Sequence, residues 1–199
     1  MSETLATPHG LARVHLRLAE GAVGALALGH GAAGSVSAPD LQAVASVAHA
    51  ARISVALVEQ PYLVAGRRSP APAHQLDAAW AAVIAQLKAG PLAGLALVAG
   101  GRSSGARVAC RTAGQTGAAG VLCLAFPLHP PGKPEKTRLD ELEPVEVPVL
   151  VIQGASDPFG MPPPGPKRAV VEVAGNHGLK TDLGTVAEAA REWLARVLH

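Results

Sequence analysis

The stretch from Leu95 to Arg107, LALVAGGRSSGAR in one-letter code, constrains what this chain can fold into more than any other. Leu95 to Ala99 is uninterruptedly apolar, as in a central strand buried on both faces of a parallel sheet. The run stops in Gly101-Arg102-Ser103-Ser104-Gly105, which has the spacing G-x-S-x-G. That spacing has a mechanical reason. A serine lifted out of a sheet edge needs a strained backbone, and flanking glycines let the strand and the next helix approach closely. The stretch therefore predicts a strand, a sharp turn and a helix over Ser104–Thr112, with Ser103 exposed as a candidate nucleophile. A phosphate-cradling turn would use glycines in the same way, but no lysine follows them as in a P-loop.

The rest of the chain repeats the alternation of strand and helix. Arg13–Leu18 alternates polar and apolar residues, as a half-exposed edge strand does, with His15 facing outward. Ala25–Leu28 is a short buried strand ending in Gly29-His30-Gly31-Ala32-Ala33-Gly34. A helix follows, with Ser37 near its cap and Pro39 in its first turn. Ile53–Val58 is the next strand. The loop from Glu59 to Ala73 holds Tyr62 and the pair Arg67-Arg68, and a helix over His74–Ala89 carries a stripe of Leu76, Trp80, Val83, Ile84 and Leu87. After the Ser103 turn come a strand over Gly120–Phe126, a proline-rich loop to Arg138 and a short helical piece at Leu139–Leu142. Strands over Pro148–Gln153 and Arg168–Val173 and an amphipathic helix over Asp182–Leu198 complete the chain. About seven strands and five or six helices in this order predict an α/β fold: a three-layer, doubly wound, mostly parallel sheet with right-handed crossovers. Between Phe126 and Pro148 only the short helical piece fits, which leaves no room for a lid domain.

A serine hydroxyl is a weak nucleophile unless a base lies within hydrogen-bond reach and a third group orients that base. Ser103, Asp157 and His177 each fall just past the C-terminal end of a different predicted strand, and in a parallel sheet those ends share one edge. They are the candidate nucleophile, acid and base; Glu59 is the competing acid, and His30 and His129 are competing bases. The glycine turn after the early strand offers backbone N–H groups for an oxyanion, from Gly31 or Ala32, to act with the N–H of Ser104. His30, Tyr62, Arg67, Arg102, Phe126 and His129 are the candidate pocket residues. A solvated basic pair is the simpler reading of Arg67-Arg68.

With 199 residues, 49% of them hydrophobic and 16% charged, residues 1–199 are expected to form one globular domain, residues 1–10 being its flexible end. Lysine and arginine number 17 against 15 acids and are scattered, which argues against a nucleic-acid or anionic-membrane partner and for a small molecule. No apolar run approaches the roughly 18 residues of a membrane span, and the N-terminus lacks the pattern of a secretion signal, so a soluble, cytoplasmic protein is expected. Cys110 and Cys123 lack C-x-x-C spacing and are expected as reduced, buried thiols. No metal or organic cofactor is called for by these motifs.

The order Ser103…Asp157…His177, with Gln153-Gly-Ala-Ser-Asp-Pro-Phe-Gly160 and Gly175-Asn-His-Gly-Leu-Lys180, resembles the α/β-hydrolase superfamily and its small lidless dienelactone-hydrolase-like group. Pro127-Leu-His-Pro-Pro-Gly-Lys-Pro-Glu-Lys136 is similar to a signature of the hydrolase-like proteins related to the testis-expressed protein 30 and the KAT8 regulatory NSL complex subunit 3. The resemblance spans about Gly24 to Leu198. It implies a serine hydrolase that cleaves an ester or related acyl bond of a small molecule through Ser103, His177 and Asp157 and an acyl-enzyme intermediate. Dienelactone hydrolase itself has a cysteine nucleophile where this chain has Ser103. The same resemblance also implies an alternative, a hydrolase-fold binding or scaffold protein whose pocket is vestigial.

Overall fold

Apolar runs of five or six residues bounded by glycine turns become strands, and the periodic segments between them become helices that cover both faces. A computed structural model describes residues 1–198. Their strands are β1 (Ser2–Thr7), β2 (Gly10–Arg17), β3 (Gly24–Gly29), β4 (Ile53–Glu59), β5 (Leu97–Arg102), β6 (Gly120–Leu124), β7 (Val149–Gly154) and β8 (Arg168–Val173). The helices are α1 (Pro39–Ala50), α2 (Pro61–Val64), α3 (Ala73–Ala89), α4 (Ser104–Thr116), α5 (Leu139–Leu142) and α6 (Leu183–Leu198).

The strands form one sheet in the order β1-β2-β4-β3-β5-β6-β7-β8. From β4 to β8 every pairing is parallel, while β2 pairs antiparallel with both β1 and β4. Alternate side chains of the buried strands supply two separate cores, because successive residues of a strand face opposite ways. Leu26, Leu28, Leu122 and Ile152 pack with Leu41 and Val44 of α1 and Trp193 and Leu194 of α6. Ala25, Ala27, Val121 and Val151 pack on the other face with Trp80 and Ile84 of α3 and Ala109 and Ala113 of α4. This is the expected three-layer, doubly wound arrangement.

The structure corrects the sequence reading at four places. Residues 1–10 are not a flexible end: Ser2–Thr7 pairs along its length with Gly10–His15, and the Met1 amino group donates to the Leu16 carbonyl at 3.0 Å. The strand before Ser103 starts at Leu97 and runs on through Gly100 and Gly101 to Arg102. The strand expected over Gly120–Phe126 ends at Leu124, where the next residue, Ala125, has φ +50°. The loop after Glu59 contains α2, started by Pro61, whose missing N–H and fixed φ suit the first position of a helix.

Cys110 and Cys123 are buried free thiols with their sulfurs 3.5 Å apart, and this contact, together with burial, pushes the Cys123 thiol well up. No helix among the described residues is long and apolar enough to cross a membrane. Between β6 and β7 the four-residue α5 is the only helix among residues 125–148, so no lid covers the sheet edge. The chain passes from β3 outward to β4 and returns on the other side of β3 as β5. That reversal opens a crevice at the C-terminal ends of the parallel strands.

Candidate active site

Ser103 stands in that crevice with φ +51° and ψ −107°, a conformation that costs a residue with a Cβ on the order of 1–3 kcal/mol. Its surroundings hold it there. The Ser103 N–H donates to the Leu124 carbonyl of the neighbouring strand at 2.9 Å. On either side, Gly101 and Gly105 press against β3: a Cβ on either would lie 2.5 Å from the Gly29 carbonyl oxygen. Only glycine permits β3, β5 and the start of α4 to meet this closely.

Past the end of β8, the turn Asn176-His177-Gly178 brings the His177 ring to the serine. His177 Nε2 lies 2.9 Å from Ser103 Oγ, and its Nδ1 lies 2.8 Å from Asp157 Oδ2. Asp157, in the turn after β7, has its carboxylate 1% exposed, whereas the imidazole is 18% exposed and faces the crevice. A carboxylate only accepts, so Nδ1 carries the ring proton and Nε2 is left to accept the proton of Ser103 Oγ.

Residues that the sequence reading did not single out fix this line. Gln153, fully buried in β7, donates through Nε2 to Asp157 Oδ2 at 2.8 Å and reaches the carbonyls of Phe126 and Gly160 at 3.0 and 2.9 Å. All three are acceptors, which sets the orientation of the amide. The Phe159 N–H donates to Asp157 Oδ1 at 2.9 Å, and the Phe159 ring lies 4.2 Å from that of His177, centroid to centroid. Arg102 was read as a pocket residue and is instead a tie. Its Nε lies 2.9 Å from Asp40 Oδ2 in α1, and its Nη2 donates to the His177 carbonyl at 2.8 Å. Asp40 is fully buried; burial pushes its carboxyl up, and the Arg102 charge acts in the opposite direction. The only sequence signals for these ties were Gln153 four residues before Asp157 and Phe159 two residues after it.

The glycine turn after β3 is held from behind. Gln60 N–H donates to His30 Nε2 at 3.1 Å, so the other ring nitrogen carries the proton and donates to the Gly31 carbonyl at 2.8 Å. Burial lowers the pKa of His30, which keeps the ring neutral for this pair of bonds. Tyr62 Oη donates to the Ala32 carbonyl at 2.8 Å, and burial pushes its phenol up to about 12. Gly31 lies against Ser103, where a Cβ would be 3.7 Å from the serine Cβ.

A cleft of about 270 Å³ opens at Ser103 and Ser104, with Ala32 and Phe159 in its wall and Arg107 and Arg138 on one side. The other predicted pocket residues lie elsewhere. Tyr62 and the exposed Arg67 border a separate groove of about 330 Å³ beneath the β1–β2 hairpin. Phe126, two residues past the end of β6, is wholly buried in the core. His129 hydrogen-bonds the Pro130 carbonyl at 2.9 Å and packs under Gly160, supporting the Asp157 turn. As for the competing residues, Glu59 binds Arg13 and His15 on the antiparallel side of the sheet, and both ring nitrogens of His30 are engaged.

A sequence profile of the alpha/beta hydrolase domain matches residues 22–180. No curated protein sequence shows significant similarity to the chain. Among solved structures, an α/β serine hydrolase without lid from Xanthomonas campestris superposes with a TM-score of 0.78 at 20% identity, over 98% of this chain and 94% of that one. A dienelactone hydrolase from Anabaena variabilis gives 0.78 at 18% identity, over 98% and 96%. An α/β serine hydrolase homologue from Coxiella burnetii gives 0.78 at 14% identity, over 98% and 97%. At these identities the likeness is one of fold.

Proposed function

The chain belongs to the alpha/beta hydrolase domain family, and from that premise we propose that it is a serine hydrolase that cleaves a small-molecule ester through a Ser103–His177–Asp157 triad. The hydrogen-bonded line from Ser103 Oγ through the His177 ring to Asp157 carries this reading. As Ser103 Oγ attacks the acyl carbonyl, His177 Nε2 takes its proton, and Asp157 holds the imidazolium that forms. The proton then passes to the departing alcohol, leaving an ester between the acyl group and Ser103. A water molecule, deprotonated by the same nitrogen, breaks that bond and restores the serine.

The oxyanion of each tetrahedral intermediate sits at the backbone N–H of Ser104, in the first turn of α4, where helix N–H groups have no intrahelical acceptor. Ala32 supplies the second donor in preference to Gly31. Its N–H shares a peptide plane with the Gly31 carbonyl, and in a trans peptide the two point opposite ways. The His30 bond to that carbonyl at 2.8 Å therefore aims the Ala32 N–H away from His30. The Pro127–Lys136 loop supports a narrower placement beside the hydrolase-like proteins related to the testis-expressed protein 30.

A panel of short-chain p-nitrophenyl esters tests the reading. Ser103→Ala is expected to lower kcat about 10⁴-fold or more while the circular dichroism and thermal midpoint stay near those of the wild type. A variant that keeps most of its activity would take Ser103 out of the nucleophile role.

A further inference from the structure

The wall of the Ser103 cleft carries three guanidinium groups, of Arg107, Arg111 and Arg138, and two of them are paired with carboxylates outside the wall. Arg107 forms a two-pronged pair with Glu141 at 2.8 and 2.6 Å, and Arg111 does the same with Asp77 at 2.8 and 2.7 Å. Arg111 also reaches Glu141 at 3.1 Å. Arg138 borders the same cleft and, among the described residues, has no carboxylate within salt-bridge distance. Its guanidinium is anchored by a single donor, Nη1, to the Pro127 carbonyl at 2.7 Å, and its own N–H ties to the Leu128 carbonyl at 2.7 Å. Burial and the neighbouring Arg107 charge disfavour the cation at Arg138, and the Glu141 charge acts in the opposite direction. One guanidinium without a salt-bridge partner among the described residues, half-buried and tied to its loop, thus lines the same cleft as the serine.

We infer that Arg138 forms an anion subsite of the Ser103 cleft, and that the esters this protein takes carry a free carboxylate a few bonds from the scissile carbonyl. The inference rests on the hydrolase reading for its chemistry and on the charge count for its specificity. A half-ester of a dicarboxylic acid fits. Its ester end lies at Ser103 and its carboxylate accepts from the Arg138 nitrogens not used by Pro127, a charge-assisted bond of the strong class. The remaining wall, Ala32, Pro70, Ala71, Leu76, Pro127 and Phe159, is apolar and suits the carbon chain between. At about 270 Å³ the cleft is smaller than most ligand pockets, which run from roughly 300 to 1,000 Å³, so the chain is short.

Binding separates this subsite from turnover. In the full-length Ser103→Ala protein, NMR titration with monobenzyl glutarate and with its neutral methyl ester compares an anionic and a neutral ligand of one shape. The anionic ester is expected to bind about tenfold more tightly or better. The preference should vanish in Ser103→Ala/Arg138→Gln and persist in part in Ser103→Ala/Arg138→Lys, with the same spectra reporting that each protein is folded. Equal binding of the two esters, binding of neither, a preference that survives Arg138→Gln, or one lost equally in Arg138→Lys overturns the inference. Serine labelling of the wild type distinguishes the two readings. A labelled protein without the preference loses the anion subsite but keeps the hydrolase reading; a preference without labelling does the reverse.

Discussion

His177 is restrained from three directions: its Nδ1 by Asp157, its carbonyl by Arg102 and its ring face by Phe159. A base held this way needs little reorganisation when the serine proton moves. On the opposite side of the cleft His30 has a structural task, and its chemistry has a pH consequence. Burial holds its pKa below the ordinary value near 6.5 in the folded chain, so the unfolded chain binds the proton first as pH falls. The stability that neutral His30 contributes is therefore fully present above about pH 6.5 and declines below it. The thermal midpoint of the wild type should fall between about pH 7.5 and about pH 5.5, and His30→Gln should flatten that part of the fall. Equal slopes in the two proteins would remove His30 from this role. At this scale the sequence was legible where a residue lies in the turn just past a strand, as Ser103, Asp157 and His177 do. The tie of Arg102 to Asp40 and to the His177 carbonyl was not, because these partners come from other elements and no spacing along the chain records them.

Among the elements, β5 and α4 are set by the closeness of their approach to β3. A methyl group at Gly101 meets the Gly29 carbonyl and the Gly105 backbone, neither of which can turn aside as a side chain does. Gly101→Ala is expected to destabilise the fold by about 1–3 kcal/mol, measured by urea unfolding, and to lower activity further by shifting Ser103. Activity falling with stability unchanged would place the effect elsewhere. Buried parallel strands were easy to read, since each is a continuous apolar run. The edge hairpin was not: Ser2–Thr7 has only Leu5 and Ala6 as apolar residues, and its register comes from pairing with β2 and from the Gln86 side chain donating to the Ala6 carbonyl at 2.9 Å. The end of β6 was overrun for a similar reason. Ala125 has φ +50°, which breaks the strand although the apolar run continues to Phe126.

For the molecule as a whole, the alternation of strand and helix was enough to indicate a doubly wound sheet, and the topology then dictates a crevice at the point where the strand order reverses. The shape of the cleft was not legible, because Ala32, Ala71, Arg107, Arg138 and Phe159 come from five separate segments. Ser103 lines an open cleft, and its line to Asp157 is complete before any substrate arrives. A hydrolase-fold scaffold would keep the pocket without an activated serine. The deciding measurement is covalent labelling with a fluorophosphonate probe, read by intact mass on wild type and Ser103→Ala. The wild type should gain the mass of one probe and Ser103→Ala none; a folded wild type that stays unlabelled, or a variant that labels equally well, would contradict the account.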